Sequence, residues 1–197
     1  MTDVLSREEL LKHTFLDKEG IPVQGMRELY KSLMTRLGNP TVFYLSASPW
    51  QLYPYLREFT KTNYPFGQVI LRDMSYVELT SFITTLTIGT QEFKEDEMEK
   101  LHRWLPKKQF LCIGDSTQTD PEAYGTMFIK CEKLSKSRYR TYPGWIKTIW
   151  IRVVSGVNPE KEETLNAPER FETAFEGVPR EAWRTFTDPS ELMNISL

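Results

Sequence analysis

Two carboxylates that follow a short apolar run are the residues of this 197-residue chain best placed for chemistry. The run at 110–113 has the composition of a strand buried on both faces, and Gly114 lets the backbone turn directly into Asp115. Asp120 and Pro121 form the pattern of a helix N-cap and first helical position. Hard oxygen ligands at the carboxyl end of a strand suit Mg²⁺ better than Zn²⁺. The residues alone leave a second interpretation open, in which Asp115 starts a turn and Asp120 only caps a helix.

Ser46, Ala47 and Lys94 are the candidates for holding a phosphate group. Ser46 ends a β-prone run, and Ser48 with Pro49 forms the pattern of a helix start, so we expect backbone N–H groups and a positive helix end beside it. Lys94 is the candidate for balancing phosphate charge. It falls near a helix N-terminus, where the dipole disfavours a cation, so its position needs another reason. The alternatives are that Ser46 only ends the strand and that Ser48 only caps a helix, and for Ser48 capping is favoured.

Strands and helices alternate along the chain, and this pattern predicts how the candidate residues are positioned. Strands are expected at 41–46, 68–73, 109–115 and 147–154, the last of these closing the series. Helices are expected after Ser6 and at 26–37, from 49, at 93–105 and at 120–134. The alternation predicts an α/β fold, a Rossmann-like three-layer sandwich with a mainly parallel sheet. In such a sheet Ser46 and Asp115 reach the same edge.

The composition changes after residue 155, which predicts one domain over 1–155 and a partly docked extension over 156–197. Within the extension, 157–167 is expected to be a mobile loop. Its aromatic residues are too many for a disordered tail, so we expect them to pack on the domain or on a protein partner. These are Phe171, Phe175, Trp183 and Phe186. The Thr-rich segment 77–90 is either a lid over the site or a solvent-covered loop.

The charge balance and the cysteine content exclude several classes of protein. The chain has 25 basic and 27 acidic residues and no long basic run, so nothing supports electrostatic capture of nucleic acid. Cys112 and Cys131 lack metal-site spacing and sit where buried apolar residues usually sit, which fits a reducing compartment. No signal-peptide pattern or apolar run of membrane-spanning length is visible. We therefore expect a soluble, cytoplasmic protein.

A strand-end serine, a helical lysine and a GDxxxxD pair, in this order, resemble motifs two to four of the haloacid dehalogenase superfamily of phosphotransferases. Within it the chain resembles the fungal phosphatidate phosphatases first associated with actin patches. The strings YLSASPWQLYPYLREF at 44–59 and IGDSTQTDPEAYG at 113–125 bear this resemblance, together with VILRD at 69–73 and FK at 93–94. The segments WIRVV and ERFETAFEGVP also fit.

The resemblance implies Mg²⁺-dependent removal of phosphate from phosphatidate, which leaves diacylglycerol, through an aspartyl-phosphate intermediate. By the same resemblance, Ser46 hydrogen-bonds the transferring phosphoryl oxygens, Lys94 neutralises them and steadies the nucleophile, and Asp115 with Asp120 holds the metal. It also implies a cytoplasmic location, with peripheral contact at membranes or actin patches.

The family's nucleophile motif is missing from this sequence. In the family, a DxDxT motif on the first strand supplies the attacking carboxylate and the general acid/base, just ahead of a segment that resembles 2–15. No DxDxT occurs here, since Asp3 and Asp115 both lack a second acid two residues later. The resemblance therefore implies a catalytic domain that is incomplete at its N-terminus and lacks its first, central strand, which leaves neighbouring strands with an unpaired edge. We expect weak or no hydrolysis.

Three explanations of this departure are open: a sequence that starts too late, a paralogue that no longer catalyses, or a substitute carboxylate, ranked in that order. The alternative function is a non-catalytic protein that binds phosphate or phospholipid, or a scaffold. A nucleotide-binding Rossmann module has no support, because no GxGxxG follows any predicted strand.

Overall fold

The computed structural model describes residues 21–73, 89–135, 144–156 and 159–197. The expected helix after Ser6 and all but the last two residues of the expected lid at 77–90 lie outside these ranges. The helices are α1 (Met26–Arg36), α2 (Tyr53–Asn63), α3 (Thr90–Trp104), α4 (Asp120–Ser135), α5 (Pro159–Leu165) and α6 (Pro168–Ala174). The strands are β1 (Val42–Pro49), β2 (Gly67–Arg72), β3 (Phe110–Asp115), β4 (Ile146–Arg152) and β5 (Trp183–Phe186). Short 3₁₀ helices occupy Trp50–Leu52, Arg180–Ala182 and Pro189–Leu192.

The described strands form two open sheets in which every pairing is parallel. β1 pairs with β2, and β3, β4 and β5 follow one another in the second sheet. In register, Ser46 lies opposite Leu71, and Asp115 lies opposite Arg152. This is the mixed α/β, Rossmann-like three-layer fold that the alternation of elements predicts.

Two apolar cores lie on opposite faces of the three-stranded sheet. Alternate residues of a strand point to opposite faces, so Ile149 and Ile151 enter one core while Trp150 enters the other. The first core packs the sheet against α3, α4 and α6. The second packs it against α1 and the 3₁₀ helix Pro189–Leu192, and the Arg36 guanidinium of α1 donates to the main-chain carbonyl of Met193 at 3.1 Å. Helices therefore cover both faces, which gives the three layers.

The predicted helix start at Ser48 and Pro49 is wrong, because β1 continues through both residues. Pro49 has φ −58° and ψ 143°, an extended conformation that also pairs with Arg72 of β2. The Ser48 hydroxyl accepts a hydrogen bond from the Ser46 hydroxyl at 3.0 Å instead of capping a helix. Helical structure begins only with the 3₁₀ turn at Trp50.

The segment after residue 155 is more regular than its composition suggested. The strand at 147–154 does not close the series, since β5 adds to β4 from within this segment. The expected loop at 157–167 is instead largely helix α5, with Pro159 as its first residue and two glutamates in the first turn. The four aromatic residues of the segment are all buried in the two cores. The division of the chain at residue 155 stays a prediction.

A cavity of about 680 Å³ separates the two sheets. Consecutive residues of two strands line it, 42–46 of β1 and 110–113 of β3. Successive side chains of a strand point to opposite faces of a sheet, so lining by consecutive residues means that each strand presents its edge to the cavity. The rings of Phe43 and Phe110 meet across it with centroids 6.2 Å apart. Among the described strands, none pairs with these two edges.

Gly125 of α4 marks a close approach to the end of α6. A Cβ added there would lie 1.9 Å from the carbonyl oxygen of Ala174, a main-chain atom that no side-chain rotation can move away. Gly125→Ala is expected to destabilise the fold, because overpacking costs roughly 1–3 kcal/mol and outweighs the gain in helix propensity of about 1 kcal/mol.

Urea unfolding followed by far-UV circular dichroism measures the effect of Gly125→Ala. Thr126→Ala, at an exposed position of the same helix, is the control and should lie close to wild type. A Gly125→Ala variant as stable as wild type would contradict the close approach of α4 and α6.

Candidate metal and phosphate site

The two carboxylates predicted to hold a metal lie on either side of one tight turn. Asp115 is the last residue of β3, and Asp120 is the first residue of α4. The main-chain N–H of Asp115 donates to Oδ2 of Asp120 at 3.1 Å. Gly114 permits this approach, because a Cβ at that position would lie 2.6 Å from the Cβ of Asp120. The helix start is therefore folded back onto the end of the strand.

Lys94 joins this pair from α3. Its Nζ donates to Oδ1 of Asp120, and both residues are buried, with 4 % and 8 % of their surface exposed. This ion pair explains why a lysine lies near the N-terminus of α3, a position for which the sequence alone offers no reason. Asp120 thus accepts hydrogen bonds from two neighbouring elements, from Lys94 of α3 through Oδ1 and from Asp115 of β3 through Oδ2.

The surroundings of Asp120 compensate the negative charge of its carboxylate only in part. Burial is the largest influence and raises the pKa of Asp120, the Lys94 ammonium lowers it, and the charge of Asp115 raises it again, so that the net direction is upward. Two carboxylates held this close repel each other. A cation bound between them would relieve that repulsion.

Asp115 is oriented by the turn that follows it. Its Oδ1 accepts hydrogen bonds from the main-chain N–H of Thr117, at 2.8 Å, and from the Thr117 hydroxyl. Within the described ranges no hydrogen bond reaches its Oδ2, which leaves that oxygen available to a ligand.

This donor set fits Mg²⁺. In the part of the chain that the structure describes, no group of three or more His, Cys, Asp or Glu side chains is placed to hold a metal ion, so a closed all-protein cage is not formed there. Mg²⁺ is usually held by one or two carboxylates and completes its shell with water and substrate phosphate. Asp115 and Asp120 are the residues that would hold it.

Ser46 and Ala47 lie at the same carboxyl edge but on the other side of the cavity. The Ser46 hydroxyl accepts from the Ser48 main-chain N–H at 3.2 Å, and Ala47 is buried. Ser46 lines the cavity together with Ile113, two residues before Asp115. The hydrogen bonds that Ser46 makes among the described residues go to Ser48. The structure thus brings Lys94, Asp115 and Asp120 together and sets Ser46 opposite them.

Arg170 is the residue of this region that the sequence did not indicate. It belongs to α6 and contacts the turn between the two aspartates, 48 positions away from its partner Glu122 in sequence. Neither its neighbours nor its spacing distinguishes it from other surface arginines. The acidic first turn of α4, which contains Glu122, was the only local signal that a cation packs there.

The surface beside Ser46 is partly apolar. Trp50 is 49 % exposed and Tyr53 is 42 % exposed, directly after β1. None of the helices within the described ranges combines the length and the apolar character required to cross a membrane.

Comparisons with known proteins identify the family. The family described as "Phosphatidate phosphatase APP1, catalytic domain" matches residues 1–153. Phosphatidate phosphatase APP1 of Saccharomyces cerevisiae (strain ATCC 204508 / S288c) is 27 % identical over 165 residues, which cover 81 % of this chain and 25 % of the yeast protein. The chain therefore spans about a quarter of that curated relative. No solved structure gives a significant match. The chain belongs to the family of the catalytic domain of the phosphatidate phosphatase APP1.

Proposed function

We propose that this chain provides the metal-binding and phosphate-binding part of a Mg²⁺-dependent, haloacid dehalogenase-like phosphatidate phosphatase site. We also propose that these 197 residues alone hydrolyse phosphatidate to diacylglycerol weakly or not at all. The observation that carries the proposal is the buried contact of Lys94 with Asp120, one hydrogen bond away from Asp115.

The physical cost of that cluster supports a functional role. Removing two charges from water costs several kcal/mol per ion, by order of magnitude, and a buried ion pair is often no more stabilising than apolar residues of the same volume. A second carboxylate, Asp115, adds repulsion to this cost. Such a cluster is expected where a chain must hold a cation and a phosphate, and is unexpected as a device for stability.

Each residue has a proposed role. Asp115 and Asp120 hold Mg²⁺, which when bound would stabilise negative charge on the phosphoryl oxygens. Lys94 keeps Asp120 ionised and oriented and adds positive charge on the side where phosphate binds. The Ser46 hydroxyl and the main chain at Ala47 donate to phosphoryl oxygens from the opposite side of the cavity.

The proposed weakness of hydrolysis follows from the nucleophile. The sequence contains no DxDxT, and none of the carboxylates in the candidate cluster is free to attack, because Asp115 and Asp120 are assigned to the metal. The cavity between the edges of β1 and β3 supports this view, since a further strand there would reach the sheet edge between Ser46 and Asp115. The second candidate is a non-catalytic protein that binds phosphate or phospholipid, or a scaffold.

We further propose a cytoplasmic location with peripheral contact at membranes, where a phospholipid substrate resides, or at actin patches. The exposed Trp50 and Tyr53 support membrane contact, because amphipathic rings favour the membrane–water interface. The buried aromatic residues of the extension leave little aromatic surface there for a protein partner.

Two measurements test the proposal: phosphate release from phosphatidate in mixed micelles with Mg²⁺ or EDTA, and titration of the chain with Mn²⁺ followed by electron paramagnetic resonance. Wild type should bind Mn²⁺, and Asp115→Asn should lose that binding. Asp96→Asn, at an exposed position on the same helix as Lys94, is the control and should bind like wild type.

Each outcome of these measurements decides between the candidates. Metal binding with weak turnover that Asp115→Asn abolishes supports an impaired enzyme. Metal binding without turnover in either chain leaves the non-catalytic binding protein. Equal Mn²⁺ binding by wild type and Asp115→Asn excludes the metal site, and rapid Mg²⁺-dependent hydrolysis excludes the proposed impairment.

A further inference from the structure

The Arg170 guanidinium has all five of its N–H donors engaged. Nε and one Nη2 hydrogen donate to the two carboxylate oxygens of Glu122, at 2.7 and 3.0 Å, as a two-pronged pair. Nη1 donates to the main-chain carbonyls of Ser116 and Leu165, both at 2.7 Å, and Nη2 also donates to the carbonyl of Gln118. A guanidinium offers five N–H groups, so none remains for another partner.

Four of these five bonds reach the stretch that carries the two aspartates. Ser116 directly follows Asp115, Gln118 is in the middle of the turn, and Glu122 lies in the first turn of the helix that Asp120 begins. The guanidinium thus contacts the first residue of the turn, its middle and the helix that follows it. It fixes the relative position of the end of β3 and the start of α4.

Ser116, the first residue of the turn, is fully buried. Ser116 is held on its other side, where its N–H donates to the Arg152 carbonyl at 2.9 Å and its hydroxyl accepts from the Val154 N–H at 3.0 Å. The hydroxyl of Thr119 is buried and has no hydrogen-bond partner among the described residues. Only 16 % of the Arg170 side chain and 29 % of the Glu122 side chain are exposed, so water competes weakly with their bonds.

We propose that Arg170 is a positioning residue: it holds the turn at 116–119 and thereby sets Asp115 and Asp120 at the separation that metal binding requires. The proposal rests on the proposed function of the two aspartates. It assigns a task to α6, which lies beyond the residues matched by the family. Outer residues that orient metal ligands typically contribute a factor of about 10–100 in metal affinity.

Mn²⁺ affinity of the full chain, measured by electron paramagnetic resonance, is the first test. Arg170→Met should weaken Mn²⁺ binding by about 10–100-fold. Arg170→Lys should recover only part of the loss, because an ammonium can pair with Glu122 but cannot bridge two carbonyls at the same time. Phe175→Leu is the matched control: Phe175 directly follows the same helix, its truncation loosens the packing of that helix in the first core, and it should leave the affinity unchanged.

Amide hydrogen exchange of the metal-free chain is the second test, and it does not depend on metal binding. Arg170→Met should accelerate exchange at 116–119, and Phe175→Leu should not. Equal exchange at the turn in wild type and Arg170→Met overturns the proposal, as does an equal loss of affinity in Phe175→Leu.

The two tests separate the failure of this inference from the failure of the proposed function. A wild-type chain that binds no Mn²⁺ refutes the metal site, and the exchange rates then decide alone whether Arg170 holds the turn. A wild-type chain that binds Mn²⁺ and an Arg170→Met chain that binds it as tightly refute the positioning role alone.

Discussion

Lys94→Met is expected to lower the free energy of unfolding by about 3–5 kcal/mol, because removal of one partner leaves a charge buried without compensation. The charge in question is the carboxylate of Asp120, which is 8 % exposed. Urea unfolding at neutral pH in the presence of EDTA measures the loss without interference from bound metal. Lys100→Met is the control, since Lys100 is partly exposed, pairs with Glu97 one turn away, and should change stability by less than about 1 kcal/mol.

The loss of unfolding free energy in Lys94→Met should depend on pH in a defined direction. Burial already raises the pKa of Asp120 above its ordinary value of 3.8, and without the Lys94 ammonium the pKa rises further. Below pH 3.8 the carboxyl is protonated in both the folded and the unfolded chain, so the loss of stability is smallest there. The loss grows as the pH rises through the folded-state pKa, because the folded chain must then hold a buried negative charge. The double variant Lys94→Met, Asp120→Asn should recover most of the stability at neutral pH.

A small effect of Lys94→Met at neutral pH would mean that water reaches the Asp120 carboxylate. A loss that does not change with pH would mean that Lys94 acts through packing of its side chain and not through its charge.

Trp150→Ala is expected to cost about 3–5 kcal/mol, the range found when large core aromatics are truncated to alanine. Trp150 is fully buried in β4, in the core shared with α1 and Pro189–Leu192, and its removal leaves a cavity between these elements. Thermal and urea unfolding followed by far-UV circular dichroism measure the loss. Trp104→Ala, at a position that is 67 % exposed, is the control and should be nearly neutral.

Trp150→Phe separates ring volume from hydrogen bonding. The Nε1–H of Trp150 is buried without a hydrogen-bond partner among the described residues, so phenylalanine loses no bond and removes an unsatisfied donor. We expect Trp150→Phe to cost clearly less than Trp150→Ala. If both variants lose the same free energy, the indole N–H has a partner in solution.

The strands and the local part of the site were predictable because their signals are short-range. An apolar run followed by Gly114 and Asp115 is visible within six residues, and it became β3 and its turn. The helix at 120–134 was predicted almost to its last residue, because an aspartate and a proline mark its start.

The remaining features depend on contacts between distant parts of the chain. The position of Lys94 is unfavourable in its own helix and is explained only by its ion pair with Asp120, 26 positions later in the sequence. β5 has only four residues, too few for a clear alternation, and it exists because the edge of β4 accepts it. Ser48 and Pro49 have the local pattern of a helix start, but pairing with β2 keeps them extended.

The pairing of α1 with the 3₁₀ helix Pro189–Leu192 has a consequence for synthesis on the ribosome. Arg36 and Met193, which are joined by a hydrogen bond, lie 157 positions apart in the sequence. The second core therefore cannot close until nearly all of this sequence has been translated. Until then the apolar face of α1, formed by Met26, Leu29 and Leu33, has no Phe186 or Leu192 to cover it. The first core needs Trp183 of β5 as well as Phe171 and Phe175, so it also waits for the last part of this sequence. Both faces of the three-stranded sheet are therefore covered only when the last part of this sequence has emerged, and until then the apolar face of α1 is exposed to chaperones.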